Sequence, residues 1–197
     1  MSMLRRTSLF GLGLGCLLLT LGAACGPRDD LASPGGGWDG GALVEDPLRA
    51  CMSATLPRLT VQGPRLMIRC GDQLVATRLK GINRSGLQHK NGLREAGFGA
   101  DPLPELRAYR DEWKTVVLRL PIGQTYYLFY QSYRDDLDRL VAATRSLGMY
   151  LILELHGYDA NNLNSEQPDP NSTPDFWAQV ARRYGAETHV LFDLWNE

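Results

Sequence analysis

The last two residues of the chain, Asn196 and Glu197, place an amide and a carboxylic acid directly after an apolar run over residues 190–195. A carboxylic acid at the end of a buried strand is partly desolvated, which disfavours its ionised form and raises its pKa toward the range where it can donate a proton. The neighbouring amide can hydrogen-bond a substrate hydroxyl. Because adjacent strand residues point to opposite faces, both side chains reach one site only where the strand ends. This pattern indicates a general acid beside a binding amide, although an Asn-Glu pair taken alone is common and also fits an exposed segment.

Three upstream segments also end in polar residues, and all but the first are near-continuous apolar runs. Such runs are typical of strands buried on both faces, and they predict a parallel sheet covered by helices. The polar residues would then meet at one edge of the sheet. The predicted strands are residues 79–83, 115–121, 149–156 and 189–197, and their polar residues include Asn83, Arg119, His156 and Glu197.

The segments between these strands have helical patterns. A weak helix begins near Pro104, a clear amphipathic helix covers residues 133–147, and a third opens at Thr173. The resulting β-α-β-α-β-α-β order fits an eightfold barrel or an open doubly wound sheet. An open nucleotide-binding sheet should carry a glycine-rich phosphate turn after its first strand, and residues 83–89, NRSGLQH, contain none. The sequence therefore predicts an α/β protein that forms the N-terminal half of a (β/α)8 TIM barrel, about four βα units over residues 79–197.

The segments LKGIN, VVLRLP, MYLILELHG and HVLFDLWNE resemble, in order and spacing, the first four strands of glycoside hydrolase family 5, the cellulase family of the clan A retaining β-glycosidases. The resemblance implies that Glu197 is the general acid/base and that Asn196 binds the sugar 2-hydroxyl. It also implies that Arg119 orients and charge-tunes the catalytic carboxylates, and that His156 lines the subsite of the scissile sugar. Asn83, at the end of the first strand, is the remaining predicted substrate-binding residue. The implied partner is a β-linked polysaccharide or oligosaccharide, with no cofactor.

Retaining hydrolysis needs two carboxyl groups about 5 to 5.5 Å apart, one of which attacks the anomeric carbon. In the family, the nucleophile is a second Glu at the end of the seventh strand, and the resemblance here stops at the fourth. We therefore expect the chain to be the N-terminal part of an endoglucanase-like or mannanase-like enzyme, inactive and poorly folded alone. The alternative is a non-catalytic, barrel-derived carbohydrate-binding lipoprotein or the product of a decayed, truncated gene.

Other polar residues near the strand ends have competing interpretations. Glu154 shares a face with His156 and is predicted to pair with a cation inside the barrel, and Asp193 is predicted to form internal hydrogen bonds. No metal site is predicted, because the three histidines His89, His156 and His189 have no ligand spacing. His189 is expected to be solvated.

Two segments beside the strand ends could contact a sugar. The aromatic-rich loop predicted over residues 123–130 could form a stacking platform or could pack over the next helix. The polar loop over residues 157–172 could form a subsite wall or a solvated connection. Both alternatives stay open for each segment.

The N-terminus predicts export. Arg5 and Arg6 precede an apolar stretch over residues 9–21, and small residues then lead to Cys25. We predict a signal peptide over residues 1–24, with lipidation of Cys25 and a membrane anchor favoured over ordinary cleavage after Ala24. The protein would be a bacterial outer-membrane or cell-surface lipoprotein, or otherwise periplasmic or secreted.

A Gly-, Pro- and Asp-rich tether is predicted over residues 25–50, followed by a β-hairpin lead-in over residues 51–78. In an oxidising compartment, Cys51 and Cys70 make a plausible disulfide, and two free thiols are the alternative. The net charge of -1 offers no basic patch, so nucleic acid is not an expected partner.

Overall fold

The computed structural model describes Leu48, Cys51 and residues 56–157 and 168–196. The predicted signal peptide, Cys25, almost all of the tether and Glu197 lie outside these residues. Within the described residues, no helix is both long and apolar enough to cross a membrane.

A three-stranded antiparallel sheet comes first in the chain. It consists of β1 (Leu59–Gln62), β2 (Arg65–Cys70) and β3 (Gln73–Ala76), in the order β1-β2-β3. Short turns join these strands, and Gly63 and Gly71 adopt the positive φ that such turns require.

One face of this sheet packs against residues at the amino-terminal ends of the parallel strands described next. Ile68 is fully buried there, in a cluster with Val116, Val117 and Tyr150. The Tyr150 hydroxyl also donates a hydrogen bond to the Pro57 carbonyl oxygen. A disulfide joins Cys51 to Cys70 with 5.2 Å between their Cα atoms, which is the pairing favoured above over two free thiols.

The second sheet is parallel and has four strands. They are β4 (Gly81–Asn83), β5 (Val117–Gly123), β6 (Tyr150–Gly157) and β7 (Val190–Asp193), and they pair in sequence order. Each step from one strand to the next is a crossover that contains helix. The predicted parallel α/β fold is therefore confirmed, and the carboxyl ends of all four strands lie at one edge.

Helices cover one face of the parallel sheet. A 3-10 turn (Leu87–His89) follows β4, and α1 (Leu103–Asp111) precedes β5. After β5 come α2 (Gln124–Phe129) and α3 (Gln131–Ser146), and α4 (Thr173–Tyr184) precedes β7. The buried stripe of α3 packs on the sheet through Tyr133, Leu137, Leu140, Val141 and Thr144.

The prediction of a loop over residues 123–130 is wrong. Residues 122 and 123 extend β5, and Gln124–Phe129 form α2 rather than a loop. Tyr127 from this helix is buried and packs edge-on against Phe176, so it contributes to the core. Phe129 is 76% exposed. The segment thus joins the core through one face and leaves other aromatic rings at the surface.

Candidate active site

Strand periodicity brings the predicted polar residues to one face of the parallel sheet. Alternate residues such as Leu118, Leu120 and Leu153 belong to the core beneath the helices. The residues between them must point to the opposite face, because side chains alternate along a strand. That face carries the predicted residues Asn83, Arg119 and His156, together with Glu154 and Asp193.

Arg119 lies at the centre of these side chains. Its Nε and Nη2 atoms donate to Asp193 Oδ2 over 3.1 and 3.0 Å. Nη1 donates to Asn83 Oδ1 over 3.1 Å, and Nη2 also donates to Asn196 Oδ1 over 3.1 Å. The second carboxylate, Glu154, places Oε2 3.4 Å from Nη1. We call these five residues the Arg119 cluster.

This arrangement fits arginine better than lysine, because a planar guanidinium presents several donors in fixed directions. All four partners come from other strands or from beyond β7, so the guanidinium links the carboxyl ends of the strands. Asp193 accepts hydrogen bonds from Arg119, as predicted for an internal hydrogen-bonding residue. Glu154 forms an ion pair with Arg119, as predicted for a residue that pairs with a cation.

Glu154 and His156 form a second contact on β6. Glu154 is fully buried, and its Oε2 lies 3.3 Å from His156 Nδ1. Burial raises the pKa of Glu154, whereas the nearby Arg119 guanidinium and His156 ring act in the opposite direction. The Glu154 carboxyl group thus contacts both Arg119, which is predicted to orient the catalytic carboxylates, and His156, which is predicted to line the sugar subsite.

The chain leaves the sheet after Asp193. The backbone N–H of Asn196 donates to the Leu155 carbonyl oxygen over 3.0 Å, which keeps residues 194–196 beside β6 although they are no longer a strand. Trp177 Nε1 donates to the Leu194 carbonyl oxygen over 3.1 Å and fixes the same segment from α4. Asn196 thus reaches Arg119, and Glu197, the next residue, lies outside the described residues.

His89 was not among the predicted site residues, yet its ring lies 6.2 Å from that of His156 in an edge-on arrangement. Partial burial lowers its pKa, and the neighbouring His156 and Lys90 act in the same direction. The segment after β4 that carries His89 is held in place by the Tyr126 hydroxyl, which donates to the His89 carbonyl oxygen over 3.2 Å. In the sequence, the one sign that His89 would lie near His156 is its position shortly after the end of the first predicted strand.

Close backbone packing also fixes this loop. A Cβ atom at Gly123 would lie 2.9 Å from the Gln88 carbonyl oxygen, so the end of β5 requires glycine here. From α3, Asp136 accepts a hydrogen bond from the Leu93 N–H over 2.7 Å.

The prediction that His189 is solvated is wrong. Only 3% of the residue is exposed, and its Nε2 lies 3.2 Å from the Val141 carbonyl oxygen of α3. Burial lowers the pKa of this imidazole. His189 is therefore a packing residue at the start of β7, far along the strand from the Arg119 cluster.

The described residues contain no group of three or more His, Cys, Asp or Glu side chains arranged to hold a metal ion. The chemistry that the Arg119 cluster can support is acid/base and electrostatic. It offers a fixed guanidinium, two carboxylates and two amides near the carboxyl ends of adjacent strands, and the His156 imidazole lies beside them.

Comparisons with known proteins agree with this geometry. The model of the cellulase family, glycosyl hydrolase family 5, matches residues 78–197. The chain is 27% identical over 161 residues to endoglucanase 5 of Pectobacterium carotovorum, a match that takes in 80% of this chain and 29% of that protein. It is 25% identical over 107 residues to endoglucanase EG-II of Hypocrea jecorina, covering 49% of this chain and 26% of that protein.

Among solved structures, the endocellulase of Pyrococcus horikoshii superposes with a TM-score of 0.57 at 17% identity, over 74% of this chain and 45% of that one. This likeness supports the fold. The chain spans about a third of the length of the curated endoglucanases from Pectobacterium that it matches. Because the matching family model includes all four parallel strands, the Arg119 cluster and the Asn-Glu pair, the chain belongs to the cellulase family, glycosyl hydrolase family 5.

Proposed function

We propose that the chain is the N-terminal part of a retaining β-glycosidase that cleaves internal bonds of a β-linked glucan. The observation that carries the proposal is the Arg119 cluster, in which one guanidinium binds Asn83 at the end of β4, Asp193 at the end of β7 and Asn196 just beyond β7. Family membership supports the reaction class. The curated relatives in Pectobacterium and Hypocrea are named endoglucanases, which supports a glucan as substrate.

Asn196 has a defined part in this proposal. Its side-chain oxygen already accepts a hydrogen bond from Arg119. The amide NH2 group is then the half of the side chain left to donate to a sugar hydroxyl, in keeping with the predicted contact to the 2-hydroxyl. A hydrogen bond at that position strengthens in the transition state of glycoside hydrolysis.

Glu197 is the proposed general acid/base. It protonates the leaving glycosidic oxygen as a second carboxylate attacks the anomeric carbon, and it then removes a proton from the water that releases the glycosyl-enzyme intermediate. The Arg119 guanidinium lies beside the residue that precedes it and favours negative charge in its vicinity. We propose that the attacking carboxylate belongs to βα units that follow these four in the complete enzyme.

We propose that the glucan binds beside the Arg119 cluster. A crystal structure of the Pyrococcus horikoshii endocellulase contains cellotetraose, the type of ligand that we propose for this chain. His156 and His89 border the Arg119 cluster on the side of β6 and β4.

The substrate proposal predicts endo-cleavage of β-glucan by the enzyme expressed from its complete gene. Viscosity of carboxymethylcellulose should fall much faster than reducing ends appear, because internal cuts shorten long chains first. Mannan and xylan should be hydrolysed more slowly than the glucan. A folded enzyme that binds these glycans without cutting any of them would contradict the proposal and favour a carbohydrate-binding protein.

We also propose that the protein is exported and anchored through Cys25, as the N-terminal sequence predicts. Labelled palmitate should be incorporated by the wild type and not by Cys25→Ser, and the wild type alone should partition into detergent. Cys16→Ser is a matched control, because that thiol lies inside the predicted signal peptide. Unlabelled wild-type protein in the soluble periplasmic or extracellular fraction would contradict the anchor.

A further inference from the structure

Glu154 is a buried carboxyl group that the proposed reaction does not use. It is 0% exposed, and its Oε2 is shared between His156 Nδ1 at 3.3 Å and Arg119 Nη1 at 3.4 Å. Its other oxygen, Oε1, has no hydrogen-bond partner among the described residues. Glu154 thus links the His156 imidazole to the Arg119 guanidinium through its Oε2 atom.

Such a group is costly to the fold. Burying a carboxylate with one oxygen unpaired loses hydration that nothing replaces, and well-packed apolar side chains often do better at such positions. The rest of β6 shows this alternative, since Leu151, Leu153 and Leu155 are fully buried and apolar. A carboxyl group kept here is therefore better explained by what it does to its neighbours than by stability.

The contact to Nδ1 has a chemical consequence. In a neutral imidazole, one ring nitrogen carries the proton and the other accepts a hydrogen bond, and the partner of one nitrogen selects the tautomer. An ionised carboxylate can only accept, so a hydrogen bond between Glu154 and His156 Nδ1 requires the proton of His156 on Nδ1. The opposite nitrogen, Nε2, then has a free lone pair.

We propose that Glu154 is a positioning residue that holds His156 in the Nδ1–H tautomer, so that Nε2 accepts a hydrogen bond from a sugar hydroxyl. The substrate part of this proposal rests on the proposed function. The tautomer part rests on the contact between Glu154 and His156 Nδ1 and does not need the enzyme to be active.

The charged groups around Glu154 are compatible with this role. Arg119 on β5 favours its ionised form, whereas Asp193 on β7 opposes it. His156 lies on β6 itself, and the ring of His89, from the turn after β4, lies 6.2 Å from the His156 ring. Burial raises the pKa of Glu154, and the guanidinium acts against that shift.

Nitrogen-15 NMR of histidine-labelled complete enzyme tests the tautomer directly, with the His156 signals assigned by comparison with His156→Gln. In the wild type, we expect a protonated Nδ1 and an unprotonated Nε2. Glu154→Leu, which removes the acceptor, should move the proton to Nε2 and reduce kcat/KM about ten- to a hundredfold, by analogy with the loss of partners that orient metal-binding imidazoles. A wild-type proton on Nε2, or an unchanged tautomer in Glu154→Leu, would overturn the proposal.

Two further variants separate this role from a purely structural one. Glu154→Gln keeps the size of the side chain and an oxygen that can accept from Nδ1, so it should retain the tautomer and most of the activity; activity as low as that of Glu154→Leu would overturn the proposal. Asp193→Asn removes the other carboxylate bound to Arg119 and should leave the His156 tautomer unchanged. If the wild type shows the expected tautomer but hydrolyses no glycan, the proposed function fails and the link between Glu154 and His156 stands.

Discussion

Replacing Glu197 with Gln is expected to lower kcat on cellulosic substrates about a hundredfold to ten-thousandfold, the range for loss of a general acid/base. A glutamine has nearly the same shape but cannot protonate the leaving oxygen. Activated aryl glycosides carry leaving groups that need little protonation, so their first, glycosylation step should be largely spared. Rates on both substrate types with the complete enzyme, measured by steady-state and burst kinetics, check this prediction.

Glu187→Gln is the matched control for this experiment. It makes the same chemical change before the start of β7, at the opposite end of the strand, where Glu187 pairs with Arg145 over 2.8 Å. Its activity should stay close to that of the wild type, because surface ion pairs contribute little. Equal losses on cellulosic and aryl substrates in Glu197→Gln would contradict the acid/base role.

Replacing Arg119 with Lys is expected to reduce kcat/KM about a hundredfold and to lower the free energy of unfolding by about 2 kcal/mol. Lysine keeps the charge, but its compact ammonium cannot replace donors that reach Asn83, Asp193 and Asn196 together. Asn196 would lose the hydrogen bond that orients it, so kcat should fall more than KM rises. Steady-state kinetics and denaturant unfolding of the complete enzyme measure both effects.

Arg183→Lys is the appropriate comparison, because Arg183 also binds a carboxylate, Asp138, but does so between α4 and α3. That pair lies in the helical layer, away from the Arg119 cluster. We expect a change of less than about 1 kcal/mol and wild-type activity. If Arg119→Lys lowered kcat/KM and the free energy of unfolding no more than Arg183→Lys does, the proposed role of the Arg119 cluster would be contradicted.

Much of the fold follows from local patterns. Apolar runs of strand length predicted three of the four parallel strands, and the amphipathic stripe ending at Gly148 predicted α3 to within two residues at each end. The Thr-Pro-Asp pattern located the start of α4, but Thr173 is its first helical residue and not its cap, because the Thr173 hydroxyl donates to Gln124 Oε1. Strand periodicity also placed Glu154 and His156 on one face, because that inference needs only the sequence of a single strand.

Two wrong predictions and one contact that the sequence did not reveal share a physical origin, which is packing between segments that are distant in sequence. His189 looks solvated beside a strand start, but α3 covers it and supplies the Val141 carbonyl oxygen. The aromatic segment after Gly123 has no capping residue, yet packing of Tyr127 on Phe176 stabilises it as a helix. Asp193 is 74 residues from Arg119 in sequence, and only the pairing of β5, β6 and β7 brings them together.

The stereochemistry of the first product tests the proposed function most directly. Proton NMR of a cello-oligosaccharide during the first minutes of hydrolysis by the complete enzyme shows the configuration at the new reducing end before mutarotation. Two carboxyl groups about 5 to 5.5 Å apart, with Glu197 as the acid/base, give net retention, so the β-anomer should appear first. Initial appearance of the α-anomer would show inversion and would contradict the double-displacement route through Glu197.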